Sequence, residues 1–203
     1  MYRMTNLERD LPIVGFASGQ EWEAWLLAEH AQSNGVWLKI AKQGRGIAGV
    51  SKAEAVAGAI CFGWIDGQVD KFDDNYWLTR FTPRRALSKW SQINRDLAAS
   101  LMESGRMRPA GLAEVERARA DGRWEAAYPA SSTATVPDDL QAALDFAPDA
   151  KRAFERLDRT NRYAILYRIH DAKRPETRAA RILKFVEMLT RGETLHPVKK
   201  KEP

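Results

Sequence analysis

The sequence predicts an α+β fold, with a small, mostly antiparallel sheet and helices in the N-terminal part and an all-helical C-terminal module. Three observations predict it. Aromatic and β-branched runs flank an Asp-Asp-Asn cluster at 73–75, which is typical of a β-hairpin over 62–82. A dense β-forming run occupies 36–41. Beyond residue 137 the apolar residues recur only at helical spacing.

Local signals define the first elements. Residues 11–16 predict a short edge strand, because their proline lacks the amide hydrogen that a sheet ladder needs. Ser18 is the predicted N-cap of a helix over 19–33. Ser51 and Glu54 have the spacing of a capping box, which predicts the start of a second helix.

Longer helices follow the hairpin. One is predicted over 89–103 with Ser88 as its cap, and another from Pro109 until Gly122 stops it. The C-terminal part predicts four helices, over 138–146, 148–157, 160–172 and 176–191. The last of them has an apolar face made of Ala179, Ile182, Leu183, Val186 and Leu189.

These elements divide the chain into two predicted domains. Residues 1–130 form the α+β domain that contains the aromatic hairpin. Small polar residues over 131–137 are typical of a linker. Residues 138–192 form a basic helical module, and 193–203 are expected to be a flexible tail.

Charge is distributed unevenly. Residues 1–147 hold 17 basic and 19 acidic residues, giving −2, whereas 148–203 hold 15 and 8, giving +7. Attraction to an acidic partner is therefore expected in the C-terminal module. The single cysteine, the absence of a signal-like start and the lack of a long apolar run predict a cytoplasmic protein with no membrane insertion.

Three stretches carry a resemblance to a known family. They are Cys-Phe-Gly-Trp-Ile-Asp-Gly at 61–67, Arg-Phe-Thr-Pro-Arg-Arg at 80–85 with Ser-Lys-Trp-Ser-Gln-Ile-Asn at 88–94, and Ala-Lys-Arg-Pro-Glu-Thr-Arg at 172–178 with Arg181 and Ile182. In this order, over about 20–192, the chain resembles the YdeI/OmpD-associated family, also called the bacteriocin-protection family.

The resemblance implies an α/β N-terminal part and a helical C-terminal module. It also implies a bacterial role in stress and in tolerance of envelope-active antimicrobial agents, and the family name suggests association with an outer-membrane porin. No catalytic residue is carried over, because the family has no agreed reaction. If the protein is an enzyme, its catalytic residues are therefore unknown.

One polar group set among aromatic residues is the candidate ligand site. Its members are Trp64, Asp66, Arg80, Arg84, Arg85, Trp90 and Asn94. Guanidinium groups beside flat rings can hold a planar or anionic ligand. If Phe72 lies opposite Tyr76, Asp66 and Arg80 become diagonal neighbours on one sheet face. The simpler interpretation is an ion pair that only fixes the hairpin.

The cysteine and the histidines do not indicate a catalytic or metal site. Cys61 lies between Ile60 and Phe62 with no histidine nearby in sequence, which indicates a buried, inert thiol. The three histidines match no metal-ligand spacing, and no cofactor-binding fingerprint is present. We therefore predict neither a metal nor another cofactor.

These observations favour an accessory protein that acts by binding a protein partner or a small anionic ligand, and not an enzyme. One alternative is a small enzyme that uses Asp66 and nearby arginines on an anionic substrate. Another is nucleic-acid binding by the basic C-terminal helices, which is less favoured because acidic residues interrupt their positive charge.

Overall fold

Four short strands form a mixed sheet in the N-terminal part. They are β1 (Ile13–Val14), β2 (Val36–Ala41), β3 (Trp64–Lys71) and β4 (Tyr76–Pro83). In this computed structural model, which describes residues 10–44 and 46–197, the strand order is β1-β2-β4-β3. Strand β1 runs parallel to β2 at one edge, and the other pairs are antiparallel. The predicted hairpin and edge strand are confirmed.

Four helices accompany the sheet. They are α1 (Gly19–Glu29), α2 (Lys52–Cys61), α3 (Gln92–Glu103) and α4 (Pro109–Ala120). Ser18 caps α1 and Ser51 forms the capping box with Glu54, as predicted. Ser88 does not cap α3. Its hydroxyl accepts a hydrogen bond from the Arg85 amide at 3.0 Å, and the helix starts at Gln92 and not at 89.

The main core lies where α1 and α2 cover one face of the sheet. Trp22 is fully buried and stacks on Trp25 with ring centroids 5.4 Å apart. It also contacts the edge of Trp64 at 6.4 Å and the ring of Phe81 at 5.6 Å. Such aromatic pairs add to the stabilisation that burial alone provides.

Four further helices form the C-terminal part. They are α5 (Asp138–Asp145), α6 (Pro148–Glu155), α7 (Arg159–His170) and α8 (Pro175–Thr190). A second core is formed mainly by Leu140, Leu144, Phe154, Ile165, Ile169, Phe185 and Leu189. The sheet with helices followed by a helical part confirms the predicted α+β fold. No helix within the described residues is long and apolar enough to cross a bilayer.

The chain divides into two compact units. The N-terminal unit comprises the described residues up to Trp90 together with Asn94–Ala127. The C-terminal unit comprises Ser91–Ile93 and the described residues from Tyr128 onwards. The stretch expected to be a linker, 131–137, lies inside the C-terminal unit. Of the expected tail, residues 198–203 lie outside the described residues.

Candidate functional site

The hairpin register separates the two charged residues of the predicted ligand site. Near the turn the register is the expected one, since Asp70 pairs with Leu78. A β-bulge between Asp66 and Val69 then shifts the pairing by one residue, so that Asp66 lies opposite Phe81 and not Thr82. Because neighbouring residues of a strand face opposite sides, Arg80 and Asp66 lie on different faces.

Each of these charges has another partner. The Asp66 carboxylate accepts a hydrogen bond from Lys52 Nζ at 2.8 Å, on the face covered by α2. Arg80 Nη2 donates to Asp10 Oδ2 at 2.6 Å, and this bond lowers the pKa of Asp10. The prediction that Asp66 and Arg80 share a face is therefore wrong.

A double-mutant cycle tests this correction. Asp66→Asn combined with Lys52→Met should show a coupling of about 0.5 kcal/mol, because the two partly buried groups form an ion pair. Asp66→Asn combined with Arg80→Met should be additive within about 0.3 kcal/mol. All seven tryptophans lie in the N-terminal unit, so urea unfolding followed by tryptophan fluorescence measures both cycles. Equal couplings would contradict the observed register.

The aromatic members of the predicted site lie in the interior. Trp64 is 1% exposed and its indole nitrogen donates to the His30 carbonyl at 3.2 Å. Trp90 is also 1% exposed, and the Arg84 guanidinium stacks on it at 3.6 Å. The fold therefore brings Arg84 and Trp90 together as a buried cation–π pair.

The remaining two members differ in exposure. Arg85 is exposed in the loop after β4, and Asn94 lies half-buried on α3. Ligand binding by these residues stays a prediction. Cys61 is buried, and burial raises the pKa of its thiol, which disfavours the reactive thiolate.

The basic motif at 172–178 has a structural role in the C-terminal unit. Arg178 Nη1 donates to the Ile169 carbonyl at 2.9 Å, and Arg181 Nη1 donates to the Arg168 carbonyl. Carbonyls at the end of a helix lack partners within that helix and attract cations. The two α8 arginines thus satisfy the C-terminal end of α7. Their guanidinium groups therefore contact other residues of the C-terminal unit.

Arg178 also forms an ion pair with α5. Its Nε and Nη2 atoms donate to the two carboxylate oxygens of Asp139 at 2.5 and 2.8 Å. This hydrogen bonding lowers the pKa of Asp139. A carboxyl group with a lowered pKa in the folded state adds stability above its unfolded pKa of about 4, and this stability is lost as the pH falls.

The expected pH dependence can be measured with Asp139→Asn. The variant should have a lower free energy of unfolding than the native chain at pH 7, and the difference should shrink towards pH 3. Urea unfolding followed by the methyl NMR signals of Leu140 and Leu144 reports on this unit. Asp138→Asn, next to it in the first turn of α5, controls for the helix dipole. A difference that does not depend on pH would contradict the assignment.

A cleft of about 280 Å³ lies within the C-terminal unit. It is lined in part by Gln92, Tyr163, Tyr167, His170 and Arg178. The Tyr163 hydroxyl donates to the Pro129 carbonyl at 2.9 Å, and Asp139 neutralises Arg178. Because the Arg178 guanidinium already has a carboxylate partner, the cleft does not favour binding of a small anion.

An apolar groove between α5 and α8 is the second feature of this unit. It has a volume of about 590 Å³ and is lined by Asp139, Ala143, Phe146, Ala147, Pro175, Arg178, Ala179, Ile182, Leu183 and Val186. Phe146 is 92% exposed and Leu183 is 61% exposed. Large apolar side chains exposed side by side are typical of interaction surfaces. We call this feature the α5–α8 groove.

Local sequence explains why these side chains are exposed. Phe146 is the C-cap of α5, and Pro148 begins the next helix two residues later. Two residues after the buried Leu144, Phe146 lies about 200° around the helix from it. On α8, Ile182 is buried and the adjacent Leu183 is not.

The groove was not predicted, although the sequence contains two signals for it. Phe146 departs from the apolar spacing of α5, which Leu140 and Leu144 define. On α8 the apolar residues extend beyond the part that α5, α6 and α7 cover, so Ala179 and Leu183 stay exposed. Across residues 10–44 and 46–197, no three His, Cys, Asp or Glu side chains cluster as metal ligands would.

Comparison with known families gives different results for the two parts of the chain. Residues 133–192 match the bacteriocin-protection, YdeI or OmpD-associated family. The predicted resemblance is therefore confirmed for this segment, which contains α5–α8. Residues 14–114 match a domain of unknown function, DUF8412. The stretches at 61–67 and 80–94 lie in that second match.

Comparisons with curated proteins and with solved structures found no significant match. The family match thus covers the segment that forms the α5–α8 groove and most of the second core. Every residue that lines the groove lies within 133–192.

Proposed function

We propose that the protein is a cytoplasmic accessory protein for bacterial tolerance of bacteriocins, and that it acts by binding a protein partner in the α5–α8 groove. The observation that carries the proposal is the exposure of Phe146 at 92% beside Leu183 at 61%, on the rim of an apolar groove. The location within the segment that matches the bacteriocin-protection family supports the link to tolerance.

A protein partner fits this surface better than a small anion does. Seven of the lining residues are alanine, leucine, isoleucine, valine or phenylalanine, namely Ala143, Phe146, Ala147, Ala179, Ile182, Leu183 and Val186. Burial of such side chains against a partner removes apolar surface from water, which favours association. The lining cation, Arg178, is neutralised by Asp139 and offers little to an anion.

A survival assay tests the proposal. A bacteriocin-sensitive bacterial strain expresses the native chain, the double variant Phe146→Ser/Leu183→Ser, or Leu87→Ser. Leu87 is 81% exposed in the N-terminal unit, so its change controls for loss of an exposed apolar residue elsewhere. Survival after bacteriocin exposure should rise with the native chain and Leu87→Ser, and fall to the empty-vector level with the double variant.

Both parts of the proposal can fail separately. Equal protection by the native chain and the double variant would contradict docking in the groove. No protection by the native chain would contradict the role in tolerance. Thermal unfolding of the purified variants should match the native chain, because both altered side chains are exposed.

A further inference from the structure

We infer that the partner segment in the α5–α8 groove is an amphipathic helix with Lys or Arg at the edges of its apolar face, an inference that rests on the proposed function. The groove has the length of a short helix. On α8 the lining residues run from Pro175 to Val186, which corresponds to about 16 Å along the helix axis. A partner helix of about three turns has this length, and it presents apolar residues at positions i, i+3, i+4 and i+7.

Two glutamates of α8 place negative charge near the groove. Residues three, four or seven positions apart share a helix face, so Glu176 and Glu187 lie on the exposed stripe of α8 that contains Leu183. Both glutamates are exposed.

Arg178 lines the groove, but its guanidinium is paired with Asp139. Arg178 and Arg181 both donate to carbonyls of α7. Lys184 is exposed as well, but it lies about 60° beyond Glu187 around the helix, away from the groove lining. The edge of α8 next to the groove therefore carries the two glutamates, although the segment as a whole is basic.

The acidic rim also selects against one obvious occupant. A second copy of this chain, docked groove to groove with the two α8 helices side by side, would bring the glutamate-bearing rims together. Like charges placed opposite each other weaken an interface and disfavour that partner. A helix with cationic edges pairs with Glu176 and Glu187 while its apolar face covers Phe146 and Leu183.

Two synthetic peptides test the inference. Both are 14-residue helix formers with the same leucine face, and they differ only in Lys or Glu at the edges of that face. With the full chain at low salt, fluorescence anisotropy should show about tenfold tighter binding of the Lys peptide. The Glu176→Lys/Glu187→Lys variant should reverse this preference. Phe146→Ser/Leu183→Ser should abolish binding of both peptides.

A matched charge reversal distinguishes a local effect from a change in net charge. Glu103→Lys/Glu116→Lys alters two exposed glutamates of the N-terminal unit and should keep the preference for the Lys peptide. Equal binding of the two peptides, no binding of either, or a dimer in sedimentation velocity that Phe146→Ser/Leu183→Ser dissociates would each overturn the inference. Failure of the proposed function would appear separately, as undiminished protection by that double variant in the survival assay.

Discussion

Replacing Trp22 with alanine is expected to lower the free energy of unfolding of the N-terminal unit by about 4 kcal/mol. Trp22 has no exposed surface and contacts the rings of Phe16, Trp25, Trp64 and Phe81. Its removal leaves a cavity among rigid neighbours that cannot collapse into it. The effect should therefore be near the upper end of the range for buried aromatic residues.

A hydrogen bond adds to this packing. The Trp22 indole nitrogen donates to the Ala55 carbonyl at 3.1 Å and so links α1 to α2. Trp22→Phe keeps most of the ring volume but loses this bond, and we expect a smaller loss of about 1–2 kcal/mol.

Urea unfolding followed by the fluorescence of the remaining tryptophans measures both Trp22 variants. Leu27→Ala on the same helix is the control, since Leu27 is 61% exposed and its loss should cost less than about 0.5 kcal/mol. Trp22→Ala with a loss below about 1 kcal/mol would contradict the position of Trp22 at the centre of this core.

The predictable parts of this fold are those that depend on local chemistry. Ser51 and Glu54 define the start of α2 because a capping box involves four consecutive residues. Pro175 marks the start of α8 for the same kind of reason, since proline has no amide hydrogen to lose at the first turn. Strand β2 was predicted with its observed bounds from one apolar run.

The arrangement of Asp66 and Arg80 could not be predicted in the same way, because it depends on the one extra residue of a β-bulge. The bulge between Asp66 and Val69 reverses the face of every residue before it relative to an unbroken hairpin. Gly67 lies within that bulge, and glycine in a strand is a known signal for one. With an unbroken register, Asp66 would lie opposite Thr82 on the same face as Arg80.

Tertiary packing also decides which helix face is covered. The predicted apolar face of α8 matches the buried face only in part, since Ile182 and Leu189 are buried but Ala179 and Leu183 are exposed. The buried Phe185 and Met188 were not assigned to that face. The arginines of the 172–178 motif are a related case. Only the position of α7 shows that Arg178 and Arg181 donate to its last carbonyls.

Gly111→Ala is the second substitution with a large expected effect. Gly111 lies in the first turns of α4, where a Cβ atom would lie 2.3 Å from the Cys61 carbonyl oxygen and 2.7 Å from that of Ile60. Both are backbone atoms of α2, so neither can move aside as a side chain would. We expect a loss of about 3 kcal/mol in the free energy of unfolding of the N-terminal unit.

This loss should occur although alanine favours helix formation by about 1 kcal/mol over glycine. Ala113→Gly, at an exposed position of the same helix, measures that preference alone and should cost about 1 kcal/mol. Urea unfolding followed by tryptophan fluorescence compares the two variants. If Gly111→Ala stabilised the unit, helix preference would outweigh packing and the close contact between α2 and α4 would be wrong.

The close contact between α2 and α4 also gives a structural reason for the Cys-Phe-Gly-Trp stretch at 61–64. Gly63 has a φ of +74°, and a Cβ atom there would lie 2.9 Å from the Ala110 carbonyl oxygen. The Arg108 amide, just before α4, donates to the Cys61 carbonyl at 3.1 Å. Glycines on both sides thus allow the end of α2 and the start of α4 to approach closely. A destabilised Gly111→Ala variant would therefore support a packing role for this stretch.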